Sequence, residues 1–128
     1  MVVDSFLWQK ERIDRVLVAG DSLVLRETIY EEDGVTLKDL TGASVRAVFE
    51  FSTVTGGGDI TKTIGFGITW VDQVNGQYDI ELDAADSDGL TIADGTEAQV
   101  YYQEEITDAN GKPSTPITGY ISVTRDLA

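Results

Sequence analysis

Residues 37–51 read LKDLTGASVRAVFEF and pass from a turn into a strand. Asp39 can accept hydrogen bonds from the amides of Thr41 or Gly42, Gly42 can take a backbone conformation that other residues resist, and Ala43 leads into the sheet. From Ser44 onward the side chains alternate. Val45, Ala47, Phe49 and Phe51 fall on one face and Arg46, Glu50 and Ser52 on the other, the pattern of a strand with one side buried. The turn decides where that strand begins, and so which residues face the core, because a slip of one position would reverse every side chain.

The same period of two recurs along the chain. Strands are expected near Ile13–Val18, Ser22–Tyr30, Ser44–Val54, Ile60–Ile64, Ile68–Val71, Gln77–Asp83, Glu97–Ile106 and Pro116–Thr124. In the sixth, Tyr78, Ile80 and Leu82 should point inward and Asp79, Glu81 and Asp83 outward. Asp33-Gly34, Asn75-Gly76 and Asn110-Gly111 supply turn residues between strand-like runs, which argues for antiparallel hairpins. Helix is confined to Ala84–Leu90, a turn or two at most. Thr55-Gly56-Gly57-Gly58-Asp59 reads as a mobile hairpin tip, since no Gly-Lys-Ser/Thr sequence follows to make it a phosphate cradle. Many short strands with glycine-rich turns give an all-β domain, either a sandwich or a small barrel.

The chain of 128 residues, 41% of them hydrophobic, suits one core. The expected organisation is an N-terminal arm over residues 1–12 and a single domain over 13–128. The N-terminus shows no basic lead with a long apolar run, so it does not read as a secretory signal, and no stretch reaches the ~18 apolar residues of a membrane helix. Cysteine and histidine are both absent. Disulfides, thiolate metal sites and Ser-His or Cys-His catalysis are thereby excluded, and the sequence points away from an enzyme and from any cofactor. A hydrolase using a carboxylate pair remains formally open, although nothing selects a pair.

Net charge is −14. No Lys or Arg occurs between Lys62 and Lys112, where Asp72, Asp79, Glu81, Asp83, Asp86, Asp88, Asp94, Glu97, Glu104, Glu105 and Asp108 make an acidic surface. Such a surface repels phosphate backbones, so direct nucleic-acid binding is not expected, and it suits a basic partner, cations or solubility. Asp79, Glu81 and Asp83 project from one strand face roughly 6–7 Å apart, either as a docking stripe for Lys and Arg, as a cation site, or as a solvated face. Asp83, Asp86 and Asp88 before Gly89 partly match a calcium loop, but the window opened by Asp86 has its glycine misplaced. Among aromatics, Trp70 shares a face with Ile68 and reads as core. Tyr101 and Tyr102 must face opposite ways, so one of them is outward or at an interface. Phe6, Leu7 and Trp8 precede the first strand and either fold back on the domain or dock on a neighbour.

The segment Asp39-Leu40-Thr41-Gly42-Ala43 resembles the turn that precedes a long strand in the N-terminal domain of phage baseplate upper proteins and related small tail or head-fibre domains. Further pieces follow in that family's order: Gly20-Asp21, Glu32-Asp33-Gly34, Val45–Phe49, Asn75-Gly76-Gln77-Tyr78, Ala84-Ala85-Asp86 and Gly119–Val123. The resemblance implies an immunoglobulin-like antiparallel β-sandwich with at most one short helical turn, in a virion structural protein of a tailed bacteriophage. A tail or baseplate component is expected; head or neck decoration, fibre anchoring, and a carbohydrate-binding or adhesin-type sandwich are the alternatives. Partners would be other phage structural proteins and copies of the chain itself, in a virion assembled in the host cytoplasm, with no membrane or nucleic acid. Interface candidates are Phe6, Leu7, Trp8, Tyr101, Asp79, Glu81 and Asp83.

Overall fold

In the computed structural model, which describes residues 11–93 and 95–125, Asp39 accepts the Thr41 amide at 2.9 Å and the Thr41 hydroxyl at 2.6 Å. The Ala43 amide closes the turn on the Leu40 carbonyl at 3.0 Å. Gly42 has φ +78°, and a Cβ there would lie 2.9 Å from that of Ala109, so both conformation and space demand glycine. The turn thus delivers Val45, Ala47 and Phe49 to the core, each no more than 2% exposed.

Nine strands follow among the described residues: β1 (Glu11–Arg12), β2 (Arg15–Val18), β3 (Leu23–Thr28), β4 (Ser44–Phe49), β5 (Ile60–Ile64), β6 (Gly67–Asp72), β7 (Gln77–Leu82), β8 (Glu97–Thr107) and β9 (Pro113–Thr124). One helical turn, α1, spans Ala84–Ser87, held by reciprocal bonds between Asp83 and Asp86. The fold is all-β. The strand begun by the turn stops at Phe49 rather than reaching Val54, because the chain winds into a 3-10 turn at Phe51–Thr53. Phe51 is still fully buried and stacks beside Phe49.

The strands form one sheet in the order β1-β9-β8-β4-β5-β6-β7-β3, with β2 also on β9. The sheet is not purely antiparallel as expected. β1 and β2 run parallel to β9, and β5 meets β6 in a short parallel contact at Thr63–Gly67 and Ile64–Ile68, around a tight bend. β2 and β3, consecutive in sequence, occupy opposite ends of the pairing path, which forces the sheet to curl until its two edges face each other. Arg15 on β2 pairs with Glu27 on β3 across that seam, giving a nearly closed barrel. Tyr78, Ile80 and Leu82 from β7 meet Val100, Tyr102 and Ile106 from β8 and Ile121 and Val123 from β9 inside it, all fully buried.

Two glycine sites show how tightly the backbone packs. The Gly56–Gly58 loop is not a free hairpin tip: a Cβ on Gly56 would lie 2.1 Å from the Gly89 carbonyl and one on Gly57 2.1 Å from that of Phe51. Glycine serves close approach there, and the Thr91 amide donates to the Thr55 carbonyl at 2.8 Å. The expected Ile13–Val18 strand is interrupted at Ile13–Asp14, where the Ile13 carbonyl crosses Gly119 and the Asp14 carboxylate takes the Tyr120 amide at 3.0 Å.

Candidate functional site

The alternation of β3, β6 and β7 leaves one face of these strands outside the barrel. There Val24 sits opposite Glu81 and Arg26 opposite Asp79, with Thr69 of β6 on the far side of Asp79. Phe66, at the bend between β5 and β6, is 79% exposed, and Val24 is 54% exposed. Together with Thr61, Lys62, Gly67 and Asp83 these residues line a groove of about 720 Å3. Lys62 lies over Gly67, whose φ of +96° and lack of Cβ leave room for it, and reaches Asp86 at 2.9 Å.

The expected stripe is therefore assembled, but its three carboxylates differ. Arg26 binds Asp79 through two parallel bonds of 2.8 and 2.9 Å, and this pairing holds the Asp79 carboxyl below its usual range. Glu81 has no such cation. Its hydrogen bond to Asp83, and the like charge there, push the Glu81 carboxyl up. The groove thus carries a negative pair, only partly offset by Lys62, beside two exposed apolar side chains, a combination that attracts a cationic side chain with apolar neighbours.

The other sequence candidates lie elsewhere. Tyr101 is half-buried on the outer face of β8, edge-to-face with its cross-strand neighbour Tyr120 at 5.6 Å, while Arg12 stands 5.1 Å over the Tyr120 ring. Tyr102 is the inward member of that pair and is fully buried. Trp70 is partly buried, edge-to-face with Tyr78 at 6.0 Å. Phe6, Leu7 and Trp8 lie outside the described residues. Asp83 and Asp86 cap α1 rather than converging on a cation, and among the described residues no group of three potential metal ligands comes together.

The acidic surface is smaller than expected. Glu104, assigned to the acidic surface, is fully buried, and so is Glu27, at 2% exposure. Strand alternation carries the signal, since Glu104 falls between Tyr102 and Ile106 and Glu27 between Leu25 and Ile29. Each carboxyl has a polar partner on a distant strand, Tyr78 donating to Glu104 Oε1 at 2.5 Å and Arg15 to Glu27 Oε1. In comparisons with known proteins, no family model and no curated protein matches this chain.

Proposed function

We propose that this protein is an assembly module: an immunoglobulin-like sandwich serving as a structural component of a tailed-phage virion, in the tail or baseplate. The observation that carries an assembly role is the groove over β3, β6 and β7, where Val24 and Phe66 stand exposed beside the Glu81–Asp83 pair. Exposed apolar side chains rimmed by one sign of charge mark protein contact surfaces. The partner is a basic segment of a neighbouring structural protein, because a second copy of a chain with net charge −14 brings its own negative surface with it.

The sandwich reading draws support from the pairing order. In immunoglobulin lettering β3 to β9 become B, C, C′, D, E, F and G, and the sheet path divides at the β5–β6 bend into runs G-F-C-C′ and B-E-D. The phage assignment rests on the resemblance of the Asp39–Ala43 turn and the pieces that follow it in order. Quantitative mass spectrometry of purified virions of the phage encoding the chain tests it. A fixed copy number per particle is expected; a chain confined to the lysate and missing from virions refutes the reading. Light scattering on the isolated protein tests the accompanying proposal of a homo-oligomer, formed through a surface other than the acidic groove, which a monomeric mass across a wide concentration range would refute.

A further inference from the structure

The acidic groove does not use the buried carboxyls, and these close the seam of the barrel. Glu104 on β8 and Glu27 on β3 meet around Tyr78: Glu27 sits opposite Tyr78 in the β3–β7 register, and the Tyr78 hydroxyl donates to Glu104. One oxygen of each is satisfied, by Tyr78 of β7 and by Arg15 of β2. The remaining oxygens, Glu27 Oε2 and Glu104 Oε2, make no hydrogen bond, and neither does the buried Nε of Arg15. Two buried carboxylates with a single guanidinium keep one negative charge in excess, which a proton on the pair removes. Of the groups that face the pair, Tyr78 and Tyr102 are neutral phenols, and Arg15 supplies the single positive charge, enough for one carboxylate. The inward residues of β4 and β9, among them Ala47, Phe49, Ile117 and Ile121, are apolar. Tyr102 extends the chain of contacts by donating to the Ile13 carbonyl at 2.6 Å, which adds to the pairing of β2 with β9 in holding the N-terminal strand.

We propose that Glu27 and Glu104 share a single proton and that this proton, with Arg15, latches the β2 edge to the β3 edge, so that its loss releases the N-terminal strand from the barrel. When the proton leaves, two like charges confront one guanidinium in a dry core, and opening the seam lets water reach them. Burial, then Glu27, push the Glu104 carboxyl well above its ordinary value, whereas in the opened seam it titrates near 4.5. The closed state therefore binds more protons than the open one from about pH 4.5 upward, until Glu104 ionises in place. Over that window, opening rises by about tenfold per pH unit.

Amide hydrogen exchange of the full chain, expressed as protection factors so that intrinsic rates cancel, reads this directly. Protection of Leu17 and of Ala19, whose amide bonds the Thr124 carbonyl at 2.9 Å, is expected to fall with rising pH by up to tenfold per unit, while that of β4 stays level. Glu104→Gln keeps an acceptor for Tyr78 and supplies a permanent donor to Glu27, so its protection should no longer depend on pH; a pH dependence equal to the parent's overturns the proposal. Carboxyl carbon NMR of the parent decides the matter even where the variant fails to fold. A Glu104 signal that titrates far above the ordinary carboxylate range supports the shared proton, and one that titrates near 4.5 refutes it.

Discussion

Replacing Gly119 with alanine should destabilise the protein, against the general tendency of glycine to alanine changes in strands. A Cβ at Gly119 would lie 1.9 Å from the Ile13 carbonyl oxygen, 2.7 Å from its carbon and 3.1 Å from Tyr102 Cε1. Ordinary contact begins near 3.4 Å, so the Ile13 carbonyl must move by about 1.5 Å. That movement breaks two bonds, Ile13 N–H to the Thr118 carbonyl at 2.9 Å and the Tyr102 hydroxyl to the Ile13 carbonyl at 2.6 Å. Loss of the first costs about 1 kcal/mol, and leaving the buried Tyr102 hydroxyl unpaired costs about 1–3 kcal/mol. The alanine recovers about 0.5–1 kcal/mol of backbone entropy, leaving a net loss of about 1–3.5 kcal/mol. Urea unfolding followed by tryptophan fluorescence measures this, with Gly58→Ala as control, since a Cβ there meets nothing within 4 Å. A Gly119→Ala protein as stable as the parent, or more so, refutes the close crossing of the N-terminal strand over β9.

Phe49→Ala should cost about 3–5 kcal/mol, since Phe49 is fully buried and stacked on Tyr102 at 5.5 Å; calorimetry would show it as a large fall in Tm. Ser87→Ala removes the acceptor of the Gly20 amide, 2.9 Å away in a site 1% exposed, and should cost about 1–3 kcal/mol in the same assay. Stability should also fall on acidification. Asp14, Asp33, Asp39 and Asp79 are all held below 3.8, chiefly by hydrogen bonds from Tyr120, Thr36, Thr41 and Arg26 respectively. Their contribution is complete above pH 3.8 and disappears as pH drops through the lowered values, so a urea midpoint unchanged between pH 4 and about pH 2 would count against these bonds.

Strand faces were legible in the sequence wherever alternation involved apolar residues, as in Tyr78-Ile80-Leu82 and Val45-Ala47-Phe49. The outward stripe Asp79-Glu81-Asp83 was legible for the same reason. Its split into one carboxylate bound by arginine and two bound to each other was not, because Arg26 is 53 residues from Asp79 and only the β3–β7 register brings them together. Glu27 and Glu104 escaped notice because an isolated glutamate signals surface, and their burial depends on partners supplied by other strands. The curl of the sheet was equally hidden. It follows from β2 pairing with β9 rather than with β3, its neighbour in sequence, a choice that local periodicity does not encode.

The claim that the groove over β3, β6 and β7 is a docking surface is tested most directly by an NMR titration with a synthetic peptide of alternating lysine and phenylalanine. Saturable shifts confined to the amides of Val24, Thr61, Phe66, Thr69 and Asp79–Asp83, weakened by salt and lost in Glu81→Gln/Asp83→Asn, are the result the structure calls for. Shifts spread evenly over every acidic face, or unchanged in the double variant, would contradict it.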